Sequence, residues 1–339
     1  MSMERIPIGI IGCGQVSQVY HIPSVRESED FELVALCDAQ FRMASQLASR
    51  CESAQAYRDP LELMRSSGAR AVIIATPTHL HMPYVIQALT AGLHVLVETP
   101  VTLNAKEIQK LQRARDQHPE SLLQIGFNNR YRADVNILRN FLVQNELGRI
   151  FYIKCGWLRK FGGQPPKGWR YEAQQSGGGV LMDGGVALID VLLWLLNYPE
   201  VESVHGAVYH DLLRKDVEDT ATAHLRLAGG TVIHLDASWS LLPEENKTYG
   251  YFFGSKGSAF MNPLRITREA AGQRYSMTPA TLPKGADLYT ESYRSQLSHF
   301  AEVIRNGSTD DDQLAQTLQV MKVVDAIYRS AESGKTVRL

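Results

Sequence analysis

Cysteine is scarce. The chain of 339 residues carries four, Cys13, Cys37, Cys51 and Cys155, and none forms a CxxC pair. That pattern excludes a disulfide framework and a zinc ribbon, and reads as reduced, buried small side chains. Excess charge is missing too: the formal net charge is -1. Nothing electrostatic therefore favours nucleic acid or an anionic membrane as a partner. The basic cluster of Arg159, Lys160, Lys167 and Arg170 is too sparse to change this. Long apolar runs are lacking as well. The longest, residues 186–196, is broken by Asp190 and is too short to span a bilayer. The opening Met-Ser-Met-Glu-Arg-Ile lacks the build of a signal peptide, so the cytoplasm is the expected location. Repeats, low-complexity tracts and flexible linkers are absent.

What is present is a rhythm. The length suggests two domains. In the first third, short Val/Ile/Leu-rich runs at 6–11, 31–37, 71–75, 94–97 and 122–126 read as strands buried on both faces. Amphipathic segments at 15–26, 40–50, 61–67, 81–91 and 105–117 separate them. Strand–helix alternation implies right-handed crossovers and a doubly wound parallel sheet of the Rossmann type. Beyond about Gly126 the pattern changes. A helix at 133–144 and a strand at 149–157 precede a loop rich in Gly, Pro and Trp. An apolar helix at 181–196 follows, then strands at 203–210, 220–227, 231–239 and 248–253 and helices at 293–305 and 313–333. Gly229-Gly230 marks a hairpin turn. The fold class is thus α/β: a Rossmann domain over 1–126, then an α+β domain with a largely antiparallel open sheet over 127–339.

The first strand runs into Gly12-Cys13-Gly14-Gln15-Val16-Ser17. Gly12 permits the tight turn, and Gly14 clears the path of a pyrophosphate to backbone amides at the helix start, those of Gln15 and Val16 among them. Ser17 replaces the third glycine of the fingerprint and is still small. Asp38 ends the second strand, 24 residues after Gly14. A carboxylate there accepts hydrogen bonds from the adenosine ribose and repels a 2′-phosphate, which Arg42 partly offsets. NAD is the expected cofactor, with NADP not excluded. Asp38 could equally cap the helix beginning near Gln40. At the fourth and fifth strand ends stand Thr76-Pro77 with His81, and Glu98-Thr99-Pro100, turns expected beside the nicotinamide half. Asn128, after the last strand, is expected to contact cofactor or substrate, and Arg130 to form an ion pair. His79 and His81 have no companion ligands at metal-binding spacing, so no metal is expected.

Taken in order, Gly12-Cys13-Gly14, Ala75-Thr76-Pro77 with His81, Glu98-Thr99-Pro100 and 126–130, then Trp169-Arg170, Gly177-Gly178-Gly179, Asp183-Gly184-Gly185 and Asp190 resemble the Gfo/Idh/MocA oxidoreductase family. The resemblance implies a cofactor-binding Rossmann domain and a second domain whose open sheet often serves oligomerisation, so a homodimer or homotetramer is expected. It also implies a lysine in Glu-Lys-Pro and a histidine four residues after the aspartate. Here those positions are Thr99 and Ala187, while Asp183 and Asp190 remain. Asp183, Ala187 and Asp190 share one helix face by their i, i+4, i+7 spacing. Removing a positioned acid–base group costs about two to four orders of magnitude in rate.

Asp183 is either a cap or buried acceptor, or a carboxylate that works on substrate. Tyr171, Lys160 and Lys167 are candidate proton donors, and Arg170 could clamp an anion. Asp183, Thr99, Tyr171 and Lys160 form the candidate catalytic set. The expected activity is NAD(P)-dependent oxidoreduction of a small polar metabolite, sugar-like, cyclitol-like or a conjugated C=N or C=C compound. Two alternatives stay open: a non-catalytic dinucleotide-binding sensor or assembly subunit, and a lyase or isomerase that recycles bound NAD.

Overall fold

The computed structural model describes residues 4–160, 167–211, 213, 215–240, 245–280, 288–307 and 312–339. It divides into two compact units. The first comprises Met1–Tyr131 and Tyr289–Ala315, and the second Arg132–Leu288 and Gln316–Leu339.

Unit 1 is built on six parallel strands: β1 (Ile6–Ile11), β2 (Phe31–Cys37), β3 (Gln55–Tyr57), β4 (Ala71–Ile74), β5 (His94–Val97) and β6 (Leu123–Ile125). Their order is β3-β2-β1-β4-β5-β6. This is the dinucleotide-binding order, with its reversal between β1 and β4. The apolar runs make strands because helices cover both faces: Ile8, Ile10, Ile73 and Leu96 are buried in one cluster with Leu36. That cluster also holds Leu297, Phe300 and Ala301 of the helix Leu288–Asn306. Phe300 stacks on Phe31 with ring centroids 5.9 Å apart. Burying one such ring contributes roughly 1.5–3 kcal/mol. The sequence assigned this helix to the second domain by its place in the chain. Its apolar stripe instead completes the core of unit 1.

Unit 2 carries nine strands: β7 (Ile150–Leu158), β8 (Val201–Tyr209), β9 (Thr220–Leu227), β10 (Val232–Ser238), β11 (Lys247–Gly254), β12 (Gly257–Met261), β13 (Arg265–Ala270), β14 (Gln273–Ser276) and β15 (Val337–Arg338). Their order is β14-β13-β12-β11-β7-β10-β9-β8-β15, antiparallel except for the β7–β10 pair. β9 and β10 form the hairpin foreseen at Gly229-Gly230, both with positive φ (+83° and +84°). β3 and β12 to β15 escaped sequence reading. β14 is fully exposed and β3 and β15 are only three and two residues long, so none carries an apolar run of its own.

The helical run Ala173–Leu195 is longer than the sequence suggested. By length and hydropathy it passes the test for a bilayer span, but 89% of its most apolar window is buried in the fold. From Val180 to Leu195 every side chain is buried except Asp183 and Ala187.

Candidate active site

Because the sheet of unit 1 is parallel, its strands all end at one edge. Gly12 and Gly14 follow β1, Asp38 follows β2, Thr76 and Pro77 follow β4, Glu98 and Thr99 follow β5, and Asn128 follows β6. The two glycines serve different ends. Gly12 has φ +97°, and a Cβ there would lie 2.5 Å from the Ala75 carbonyl oxygen. A Cβ on Gly14 would meet no atom within 4 Å. The fold thus requires a glycine at 12 but leaves the space over 14 open. Ser17, buried, donates from Oγ to the Gly12 carbonyl at 2.5 Å and pins the turn. Gln15 is exposed and Val16 half-buried in the first helical turn.

Asp38 braces this edge. Its Oδ2 accepts the Cys13 N–H at 2.9 Å and its Oδ1 the Gln40 N–H at 2.8 Å. The helix itself starts at Phe41 with Gln40 as its cap, so the plain N-cap reading of Asp38 is replaced by a clasp between two turns. Arg42 is exposed one turn on.

His81 links the next two turns, its Nε2 2.7 Å from the Thr76 carbonyl and its Nδ1 2.7 Å from that of Pro100. Burial holds its pKa below the ordinary 6.5, against the pull of both carbonyls and Glu98; His79 pushes the same way as burial. A depressed histidine stabilises the fold above its unfolded pKa, and that stability is lost as pH falls through the folded value. Thermal unfolding followed below neutral pH is expected to show this acid loss in the parent and a flatter profile in His81→Asn. Equal profiles would contradict it.

Glu98 is tied to His21, Nε2 to Oε1 at 2.7 Å, with His21 buried. The Tyr293 ring stands edge-on to His21 at 5.2 Å and stacks on Tyr20 at 4.6 Å. Burial, then Glu98, pushes the Tyr293 phenol well up. Asn128 is buried and donates to Ser292 Oγ at 3.0 Å. Sequence reading missed this cluster. Its signal is the i, i+4 pair Tyr289 and Tyr293, which flanks Ser292, itself 164 residues beyond Asn128. Arg130 is buried with its guanidinium 4.7 Å from the Phe127 ring centre.

In unit 2, Asp183 lies in a π-helical turn, Leu181–Gly185, capped by Val180. The cap reading of Asp183 therefore fails. Its Oδ1 accepts Arg170 Nε–H at 3.2 Å, and its Oδ2 the Trp239 indole N–H at 3.1 Å. Tyr171 sits edge-on to Trp239 at 5.0 Å. Burial, then Asp183, raises the Tyr171 phenol, with Arg170 pulling back. Trp157 lies over Gly184, where a Cβ would come 2.4 Å from the indole. Three of the chain's four tryptophans thus gather near Asp183, counting Trp169 under Arg170 at 4.7 Å. The sequence marks Trp239 only as the end of a strand. Lys160 is exposed, its backbone N–H held by Asn246 Oδ1 at 2.8 Å. Phe161, part of the same expected loop, lies outside the described residues. Asp190 is buried and accepts the Tyr198 hydroxyl at 2.7 Å, a structural bond. Among the described residues no cluster of His, Cys, Asp or Glu could hold a metal.

A six-stranded parallel sheet in this order, with a glycine turn and an acidic clasp at its carboxyl edge, defines an NAD-binding oxidoreductase scaffold. The model of the Rossmann domain, "Oxidoreductase family, NAD-binding Rossmann fold", matches residues 6–127, and that of the "C-terminal alpha/beta domain" matches 139–339. The chain belongs to the Gfo/Idh/MocA oxidoreductase family. It is 25% identical over 355 residues to D-glucoside 3-dehydrogenase of Escherichia coli (strain K12), covering 100% of this chain and 99% of the relative. It is 26% identical over 310 residues to scyllo-inositol 2-dehydrogenase (NAD(+)) of Bacillus subtilis (strain 168), covering 90% and 88%. In fold it resembles levoglucosan dehydrogenase solved with NADH and levoglucosan, with TM-score 0.87, 22% identity and 99% coverage of both chains.

Proposed function

We propose that the protein is an NAD-dependent dehydrogenase of a small polyhydroxylated substrate, a sugar or cyclitol, working chiefly as a reductase. The observation that carries this is the buried helix of unit 2, which opens only at Asp183 and Ala187, beside Trp157, Tyr171 and Trp239. Indole and phenol faces pack on the C–H faces of a sugar ring while a carboxylate accepts its hydroxyls. The relatives named for glucoside and inositol dehydrogenation support the same substrate class.

On the cofactor side, the bare face of Gly14 and the amides of Gln15 and Val16 would receive the pyrophosphate, and Asp38 the adenosine ribose. Thr76, Pro77, His81, Glu98, Thr99 and Asn128 would frame the nicotinamide half. Bound NADH supplies the hydride. Burial, then Asp183, pushes the Tyr171 phenol up, which favours its protonated form. That phenol would give its proton to the oxygen of the substrate carbonyl during reduction, since an alkoxide is far more basic than a phenolate. In the reverse direction no strong base stands at Thr99 or Ala187, so alcohol oxidation is slow.

Titration calorimetry is expected to give NADH about tenfold tighter than NADPH, because Asp38 repels a 2′-phosphate. A panel of keto-sugars and inosose, followed by loss of reduced-nicotinamide absorbance, then tests turnover. NADH binding without turnover of any of them would transfer support to the second reading, a dinucleotide-binding sensor or assembly subunit, which the loss of lysine and histidine at 99 and 187 favours.

A further inference from the structure

We propose that the substrate is an acidic polyol, one bearing a carboxylate or phosphate, and that Arg170 grips its anionic group. This rests on the polyol reading above. Arg170 is held on two sides. Its Nε donates to Asp183, and its plane lies over Trp169. Among the described residues its two Nη groups take no partner, and 40% of the side chain is exposed. What remains open is the outer edge of the guanidinium, the planar fork that matches a carboxylate or phosphate with two parallel hydrogen bonds. An arginine needed only to orient Asp183 would have no use for a fixed and open fork.

The charges around it agree. Arg159 stacks on Trp157 at 3.8 Å, and Trp157 lies over Gly184, next to Asp183. Against Arg159 and Arg170 stands Asp183, whose charge Arg170 already offsets. Glu172 points its carboxylate at Gln175. A cationic substrate would be repelled here, whereas a carboxylate or phosphate would take both hydrogen bonds of the fork with charge assistance that a neutral hydroxyl lacks. Ala187, the other opening on the helix, has only a methyl group, which leaves room for the added substituent.

The test uses the full-length protein saturated with NADH. Tryptophan fluorescence is titrated with D-glucuronate, D-glucose 6-phosphate, D-glucose and myo-inositol at matched ionic strength; Trp169 and Trp239 are built-in reporters. At least one acid is expected to bind about tenfold or more tighter than both neutral polyols, the value of one charge-assisted hydrogen bond or more. Which acid wins separates carboxylate from phosphate. In Arg170→Gln the ratio of acid to neutral affinity falls to about one, and Arg170→Lys gives an intermediate ratio. A purely structural role would weaken both ligands alike and leave the ratio unchanged. The parent's preference also shrinks as salt is added, a readout that needs no variant. Neutral polyols binding as tightly as both acids would overturn the acidic-substrate inference and leave the polyol reading standing. If no polyol of either kind bound while NADH did, the polyol reading itself would fall and this inference with it.

Discussion

Replacing Gly14 by leucine is expected to weaken NADH binding by about a hundredfold or more while leaving thermal unfolding nearly unchanged. The two halves of that result come from one observation. A Cβ at this position meets no protein atom within 4 Å, so the folded chain has no steric objection to a side chain, and a surface change of this kind stays within about 0.5 kcal/mol. In the proposed site the same empty space is where a pyrophosphate would approach the amides of the first helical turn. Blocking two charge-assisted hydrogen bonds costs roughly 3–6 kcal/mol, about two to four powers of ten in affinity. Gly12→Ala is the opposite case. It forces a side chain into φ +97° and against the Ala75 carbonyl oxygen, so it is expected to lower stability first and binding only as a consequence. Calorimetry of both variants beside the parent checks the pair. A Gly14→Leu protein that still bound NADH normally would remove the dinucleotide site from this turn.

The second large effect is a gain. The double variant Thr99→Lys, Ala187→His is expected to raise the rate of alcohol oxidation by about two to four orders of magnitude over the parent. Ala187 is one of the two open positions on its helix and lies one turn beyond Asp183, so a histidine there extends from the same face as the carboxylate. Its ring titrates near neutrality and can take the hydroxyl proton, which neither an alanine methyl nor a threonine hydroxyl does. The measurement is the rate of NADH formation with polyol substrates, read separately as kcat and KM. The gain belongs in kcat, since proton transfer is a transition-state event. An unchanged kcat with the fold intact would mean that the scaffold no longer presents these positions to a substrate.

Much of unit 1 was legible because parallel strands buried on both faces leave continuous apolar runs. Ile6–Ile11, Phe31–Cys37 and His94–Val97 appear where the sequence marked them. The candidate cofactor residues Gly12, Asp38, Thr76 and Glu98 were legible for a related reason: each stands just past such a run. β3 and β14 were not, because pairing to a neighbour holds them and little apolar surface of their own does. The aromatic surroundings of Asp183 were half legible. Tyr171 and Arg170 could be picked out as loop residues next to a glycine-rich turn, whereas Trp239 lies just past the end of β10, 56 residues from Asp183. Spacing along a chain does not reveal such a partner. The clasp made by Asp38 was hidden likewise, since a carboxylate has room for two backbone donors and the sequence suggested only one.

The contact between Phe31 and Phe300 has a consequence for synthesis. The nucleotide-binding half is not finished when its last strand leaves the ribosome. One flank of its sheet stays bare until some 170 further residues have been made and the helix around Phe300 arrives. Until then Phe31 and its neighbours are exposed to water, and a fragment ending at Tyr131 would carry that sticky face permanently.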